Sequence, residues 1–292
     1  MARALVNTGM ELEYDTVGSS ADPALLLIMG FTAQMTQWED SFCKLLADGG
    51  FFVVRFDNRD CGLSTKLDGQ MPDLAATMAA AFADTPPPAV PYTLTDMAAD
   101  AVGLLDHLGI DRAHVLGASM GGMIAQTVSI EHPLRVRSLV SVMSQPGELE
   151  VGQPTAAAAA ALFSPPPTTR QEYIDDSPRW MVWHSKKYRD EDRVRENAAR
   201  DFDRSFYPEG AMRQLAAIYA SGRRTDALQK LNVPTLVIHG RDDELITPSG
   251  GFRTAELIPG ANLLFMADMG HDLPEPLWPF VTDAIISHLR RA

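Results

Sequence analysis

The stretch Ala113-His114-Val115-Leu116-Gly117-Ala118-Ser119-Met120-Gly121-Gly122 decides the fold of this 292-residue chain. An apolar strand runs straight into a serine that has a glycine two positions away on either side. Residues 123–129, which follow, have helix-forming character. Strand, serine between glycines and helix together describe a nucleophile elbow. The turn is so sharp that the positions two away from the serine have no room for bulk. It also lifts the hydroxyl clear of the sheet and aims it at the positive end of the following helix.

The pattern on either side is an alternation of strands and helices. Residues 24–29 are a continuous apolar run ending at Gly30, the mark of a strand buried on both faces, and 51–56 repeat it up to Asp57-Asn58-Arg59. Residues 10–17 alternate, which suits an antiparallel edge strand. Residues 38–47 read as a helix stopped by Gly49-Gly50, and Thr95 is the expected N-cap of an amphipathic helix through Leu108, ended by Gly109. Strands are expected at 138–143, 234–239 and 261–266, and helices at 251–257 and 279–289. Such an order implies an α/β fold, a mostly parallel central sheet flanked by helices.

Two stretches break the alternation. Residues 67–92, rich in Ala, Met and Pro, read as a short helix and an exposed loop at the ligand end of the sheet. Residues 145–225 carry an alanine run, Pro165-Pro166-Pro167 and the aromatic residues Trp180, Trp183 and Tyr188. They are expected to form a helical cap inserted into a core made of residues 1–144 and 226–292. The aromatic cap residues Trp180 and Trp183 are the candidate contacts for an apolar substrate group.

Composition bounds the partners. Hydrophobic residues make up 46% of the chain, enough for a substantial core. A formal net charge of -13 argues against nucleic acid or an anionic membrane surface, which need clustered Lys and Arg. Cys43 and Cys61 are too few for a disulfide framework and suit a reducing compartment. Residues 1–14 hold no apolar signal core, and no stretch is long enough to span a bilayer, so a soluble cytoplasmic protein is expected.

A serine hydroxyl needs a base, and the base an orienting carboxylate; in this kind of sheet their chain order is Ser, acid, His. Among seven histidines, His271 in Met269-Gly270-His271-Asp272 falls in the loop between the last strand and last helix, at the carboxyl end of a strand. His239, before Gly240 at a strand end, reads as packing. The acid should follow strand 234–239, where Gly240-Arg241-Asp242-Asp243-Glu244 offers three carboxylates. Spacing from Gly240 favours Asp243, ahead of Asp242 and then Glu244. Donors for a developing oxyanion are expected from the backbone N–H of Met120, after the nucleophile, and of Phe31, after the first buried strand. This catalytic set is complete without a metal or an organic cofactor, and neither is expected.

The chain resembles the α/β-hydrolase superfamily in Leu27-Ile28-Met29-Gly30-Phe31, Trp38, Arg55 to Ser64, Gly117 to Gly122, His239 to Asp243 and Gly270-His271. Within it, the chain is most similar to actinobacterial carboxylesterases of the aclacinomycin methylesterase and LipG-like group. The resemblance implies Asp243 as the triad acid, and Asp57 and Arg59 as braces for the loop beside the oxyanion hole. Two features depart from the pattern: Met29 stands where the superfamily often has His, and the 67–92 insertion is long for the methylesterase type. A serine carboxylic-ester hydrolase acting on a small to medium apolar ester through an acyl-enzyme is the expected function. Perhydrolases (haloperoxidases), thioesterases, lactonases and C–C bond hydrolases use the same triad, and a ligand receptor on this fold is the non-enzymatic alternative. Ser119 at the elbow weighs against haloalkane dehalogenases and epoxide hydrolases, which need a carboxylate there.

Overall fold

The computed structural model describes residues Met1–Ala292. One sheet holds β1 (Ala2–Leu5), β2 (Glu11–Val17), β3 (Ala24–Ile28), β4 (Phe52–Phe56), β5 (Ala113–Ala118), β6 (Val136–Val142), β7 (Thr235–Gly240) and β8 (Asn262–Met266), in spatial order β1-β2-β4-β3-β5-β6-β7-β8. Strand β2 pairs antiparallel with β1 on one side and β4 on the other, and β4, β3, β5, β6, β7 and β8 run parallel. The helices are α1 (Asp40–Asp48), α2 (Leu74–Phe82), α3 (Leu94–His107), α4 (Met120–Glu131), α5 (Ala156–Leu162), α6 (Arg170–Asp176), α7 (Glu191–Arg204), α8 (Glu209–Ser221), α9 (Thr225–Leu228), α10 (Ser249–Leu257) and α11 (Trp278–Leu289).

The unbroken apolar runs are explained by two cores, one on each face of the sheet. Successive side chains of a strand point to opposite faces. Leu26 and Ile28 of β3 therefore join Val54, Val115 and residues of α3 and α4, such as Leu104 and Ile124. Leu25 and Leu27 go the other way, to Val53, Leu116, and Phe42 of α1 and Ile285 of α11. A strand covered on both sides has no solvent face to carry a polar alternation. No helix of the structure is long and apolar enough to cross a membrane, and Cys43 and Cys61 are both free and buried.

Two details differ from the sequence expectation. Strand β1 was not anticipated. It is four residues long with one inward side chain, Ala4, too little for a periodicity to register. The cap of α3 is Thr93, not Thr95. Asp96 Oδ2 accepts from the Thr93 backbone N–H at 2.8 Å, closing a capping box, while Thr95 Oγ1 donates to Glu131 Oε1 at 2.7 Å.

From β3 the chain crosses to β4 on one side and later to β5 on the other. The strand order therefore reverses between β3 and β5, and the crevice above their carboxyl ends is where ligands meet such sheets. Helices α5 to α8 lie between β6 and β7 and lean over that edge. Buried ion pairs fasten them to it: Arg213 of α8 forks onto Asp60 at 2.8 and 2.9 Å, and Arg204 of α7 reaches Asp57 at 2.8 Å. Where this segment leaves and rejoins the core, its two arms touch. Arg224 N–H donates to Pro146 C=O at 2.9 Å, and Gly147 packs so closely on Gly222 that a Cβ there would come within 2.2 Å of the Gly222 carbonyl oxygen.

Candidate active site

Ser119 stands between β5 and α4 with φ 56° and ψ -122°, a left-handed conformation that costs a non-glycine residue about 1–3 kcal/mol. Its surroundings hold it there. Ser119 N–H donates to Val142 C=O at 2.9 Å, and its own carbonyl accepts from Gly122 N–H and from Ser144 Oγ, each at 2.9 Å. The flanking glycines are a matter of space. A Cβ on Gly117 would sit 2.0 Å from the Gly121 carbonyl oxygen, and one on Gly121 would sit 2.1 Å from that of Ile28. Both obstacles are backbone, so neither can swing aside. Gly121→Ala is expected to cost about 3 kcal/mol or more, read as a lowered urea midpoint together with lost turnover.

Gly30 approaches the serine from β3: a Cβ on it would lie 3.0 Å from Ser119 Cβ and 3.6 Å from Oγ. The backbone N–H of Phe31, next in sequence, has no acceptor in the protein, and neither does that of Met120, at the first turn of α4 where such donors are left over. Phe31, Met120 and Ser119 line one cavity of about 210 Å³, whose remaining wall includes Met123 of α4, Leu215, Ile218 and Tyr219 of α8, and Ala81 of α2. The 67–92 stretch thus reaches the cavity, through α2 and the turn after it.

Polar side chains hold the loop after β3. Asn58 Nδ2 donates to Met29 C=O at 2.8 Å, Asp57 Oδ1 accepts Met35 N–H at 2.7 Å, and Gln214 Oε1 accepts Thr32 N–H at 2.8 Å. Asp57 therefore braces the loop, as the resemblance implied. Arg59 does not: its guanidinium forks onto Asp100 of α3 at 2.6 and 2.8 Å. Asn58 takes that place, gripping the carbonyl of the methionine found where the superfamily often has His.

Asp243 follows β7 and is fully buried at its side chain. Its Oδ1 accepts the backbone N–H groups of Leu245 and Ile246 at 3.0 and 2.9 Å, and its Oδ2 faces His271 Nδ1 at 2.8 Å. Burial works against the charge, yet His271 and His239 together hold this carboxyl below its ordinary range. His239 is more than packing: its Nε2 lies 2.8 Å from Ile246 C=O and 3.3 Å from Asp243 Oδ2, so the carboxylate meets two imidazoles. The sequence signal was there, since His239 ends the same strand that delivers the acid.

The His271 loop is itself held by the inserted segment. His271 N–H donates to Trp183 C=O at 2.6 Å, and Asp272 Oδ1 accepts Ser185 N–H at 2.9 Å and Gly270 N–H at 3.1 Å. Burial pushes Asp272 up to about 6 and His184, beside His271, down to about 4. With Nδ1–H given to Asp243, the ring's free nitrogen is Nε2. No hydrogen bond joins it to Ser119 Oγ in this structure.

Trp180 and Trp183 do not line the cavity, which corrects their reading as substrate contacts. Trp180 packs edge-on to Tyr173, ring centres 5.3 Å apart, within an aromatic cluster of the inserted segment. Trp183 is buried and acts through its backbone carbonyl. The apolar wall comes instead from α8 and α4, together with Leu162 and Phe163 at the end of α5 and Leu245 and Ile246 after β7. No group of three or more His, Cys, Asp or Glu side chains is placed to hold a metal ion.

Sheet order, elbow and acid position define the class, and a family model described as the alpha/beta hydrolase fold matches residues 23–275: the chain belongs to that family. Among its relatives is the rhodomycin D methylesterase DnrP of Streptomyces peucetius, 26% identical over 99% of this chain and 98% of that one. The enol-lactonase of Burkholderia xenovorans LB400 shares 25% identity and superposes with a TM-score of 0.75, covering 99% of this chain and 100% of that chain. A meta-cleavage product hydrolase of Pseudomonas fluorescens IP01, at 19% identity and a TM-score of 0.78, covers 100% of this chain and 98% of that one and shares the fold.

Proposed function

We propose that this protein is a serine carboxylic-ester hydrolase, with residues 145–225 as its cap and a small to medium, largely apolar ester as its substrate. The observation that carries the reading is the Asp243–His271 hydrogen bond, at the same sheet edge as a strained serine flanked by two uncommitted backbone amides. Ser119 Oγ attacks the ester carbonyl carbon while His271 Nε2 takes the hydroxyl proton. The carbonyl oxygen becomes an oxyanion received by Phe31 and Met120 N–H. Collapse of the intermediate breaks the ester C–O bond, and the leaving alkoxide takes the proton from His271. Water, deprotonated by the same Nε2, then releases the acid from Ser119. Catalytic hydrogen bonds of this kind commonly tighten only around substrate, which fits the open Ser119–His271 pair.

The methylesterase relative supports an ester as substrate, and the enol-lactonase neighbour makes a lactone the second choice. The test is covalent. A fluorophosphonate probe should add once per chain, on the Ser119 peptide, and abolish turnover of p-nitrophenyl esters in step. Stoichiometric labelling elsewhere, or full turnover by labelled protein, would refute the reading. Running ester, thioester, lactone and peroxide-dependent halogenation assays on one preparation ranks the chemistries that share this triad.

A further inference from the structure

Three charged residues line the cavity: Asp84, Arg223 and Arg224. Arg223 is spoken for, its Nη2 lying 2.8 Å from Glu150 Oε1 on an exposed surface. Arg224 differs. It is 8% exposed, yet no carboxylate pairs with it. Its Nε–H donates to Gln126 Oε1 at 3.0 Å and its Nη2 to Gln145 C=O at 2.9 Å, both neutral acceptors. Three of its five N–H hydrogens, including both on Nη1, stay uncommitted. Burial alone lowers its pKa to about 10, so the group remains a cation at neutral pH.

A buried cation without a counter-charge is costly, and such groups are normally paired. Apart from Asp84, which makes no ion pair with Arg224, and the Glu150-paired Arg223, the wall of the cavity offers apolar and uncharged groups, and the chain as a whole carries -13, a field that repels anions. A buried guanidinium with no carboxylate partner in the lining of such a cavity is therefore a local exception with a chemical meaning. A carboxylate matches its free edge, because two oxygens accept two parallel N–H bonds. Gln126, which Arg224 grips, is seven residues past Ser119 on α4, about 10 Å along the helix. We propose that Arg224 receives a carboxylate at the far end of the substrate's acyl group, so that the preferred esters are half-esters of dicarboxylic acids. The proposal rests on the hydrolase reading above and adds the charge of the substrate to it.

The experiment compares p-nitrophenyl half-esters of straight-chain dicarboxylic acids with neutral p-nitrophenyl esters of equal acyl length. At the matching length the wild-type protein should favour the anionic ester in kcat/KM by at least about tenfold, mostly through KM, and added salt should shrink the preference. Arg224→Gln should bring the ratio to about one or below, and Arg224→Lys should restore part of it. A wild-type preference for the neutral ester at every length overturns the proposal, as does a variant that lowers both esters equally and leaves the ratio unchanged.

Arg224 also ties the two arms of the inserted segment together, so a variant can fail to fold; circular dichroism reports this. Calorimetry on wild-type protein then decides without a variant or turnover. Free dicarboxylates should bind at least about tenfold more tightly than the matching diamides, and equal affinities overturn the assignment. Turnover of neutral esters without anion preference sinks this inference alone, whereas failure to turn over any ester sinks the hydrolase reading.

Discussion

Ser119→Ala is expected to lower kcat/KM for p-nitrophenyl esters by at least about 10⁴-fold while leaving the thermal transition near that of the wild type. The oxygen removed is the attacking atom, and no other hydroxyl takes its place beside Phe31 and Met120 N–H. What remains is binding and two amides with no bond to assist. The fold should tolerate the change because the elbow is held by main-chain contacts: Ser119 N–H to Val142, and Ser119 C=O to Gly122 N–H and Ser144 Oγ. Turnover within tenfold of wild type, with the substituted residue verified by mass, would remove Ser119 from the mechanism.

Asp243→Asn should cost nearly as much, about 10⁴-fold in kcat, and the reason can be read from the carboxylate's surroundings. Oδ1 already accepts two backbone N–H groups, so the amide oxygen of an asparagine would be drawn to that side. Its NH₂ would then face His271 Nδ1 and the Nε2–H of His239. His271 would have to accept on Nδ1 and carry its proton on Nε2, the tautomer that cannot take a proton from Ser119. Asp242→Asn is the control, because Asp242 does not reach His271: its Oδ2 accepts Lys186 N–H at 3.2 Å and its Oδ1 lies 3.9 Å from Arg241 Nε, and the rate should stay within about threefold. Equal losses from the two variants would remove the distinction between the acids.

Much of this architecture was legible because strand burial on both faces leaves an unmistakable apolar run, as in residues 24–29 and 113–118. The elbow was legible for a steric reason: only glycine fits at 117 and 121, so the sequence is forced to declare the turn. Asp243 was singled out from three neighbouring acids by its distance from Gly240, and it is the one whose carboxylate faces His271. Interactions between distant segments left no such trace. Nothing around Trp183 announces that its carbonyl, rather than its indole, matters. Gln214 and Arg213 belong to no motif, although one holds the loop after β3 and the other forks onto Asp60. Asn58 and Arg59 sit side by side in one motif, and only the packing of α3 reveals that the arginine turns away to Asp100 while the asparagine grips Met29. The tryptophans were a poor guide to the cavity wall, since aromatic rings also satisfy one another, as Tyr173 and Trp180 do.

The hydrogen bond from His271 to the Trp183 carbonyl makes the position of the base conditional on that of the helical segment above it. Any displacement of residues 183–185 would deprive the loop bearing the imidazole of its anchor and Asp272 of its hold on Ser185 in the same movement. The support of the base therefore comes from a different part of the chain than the acid it pairs with.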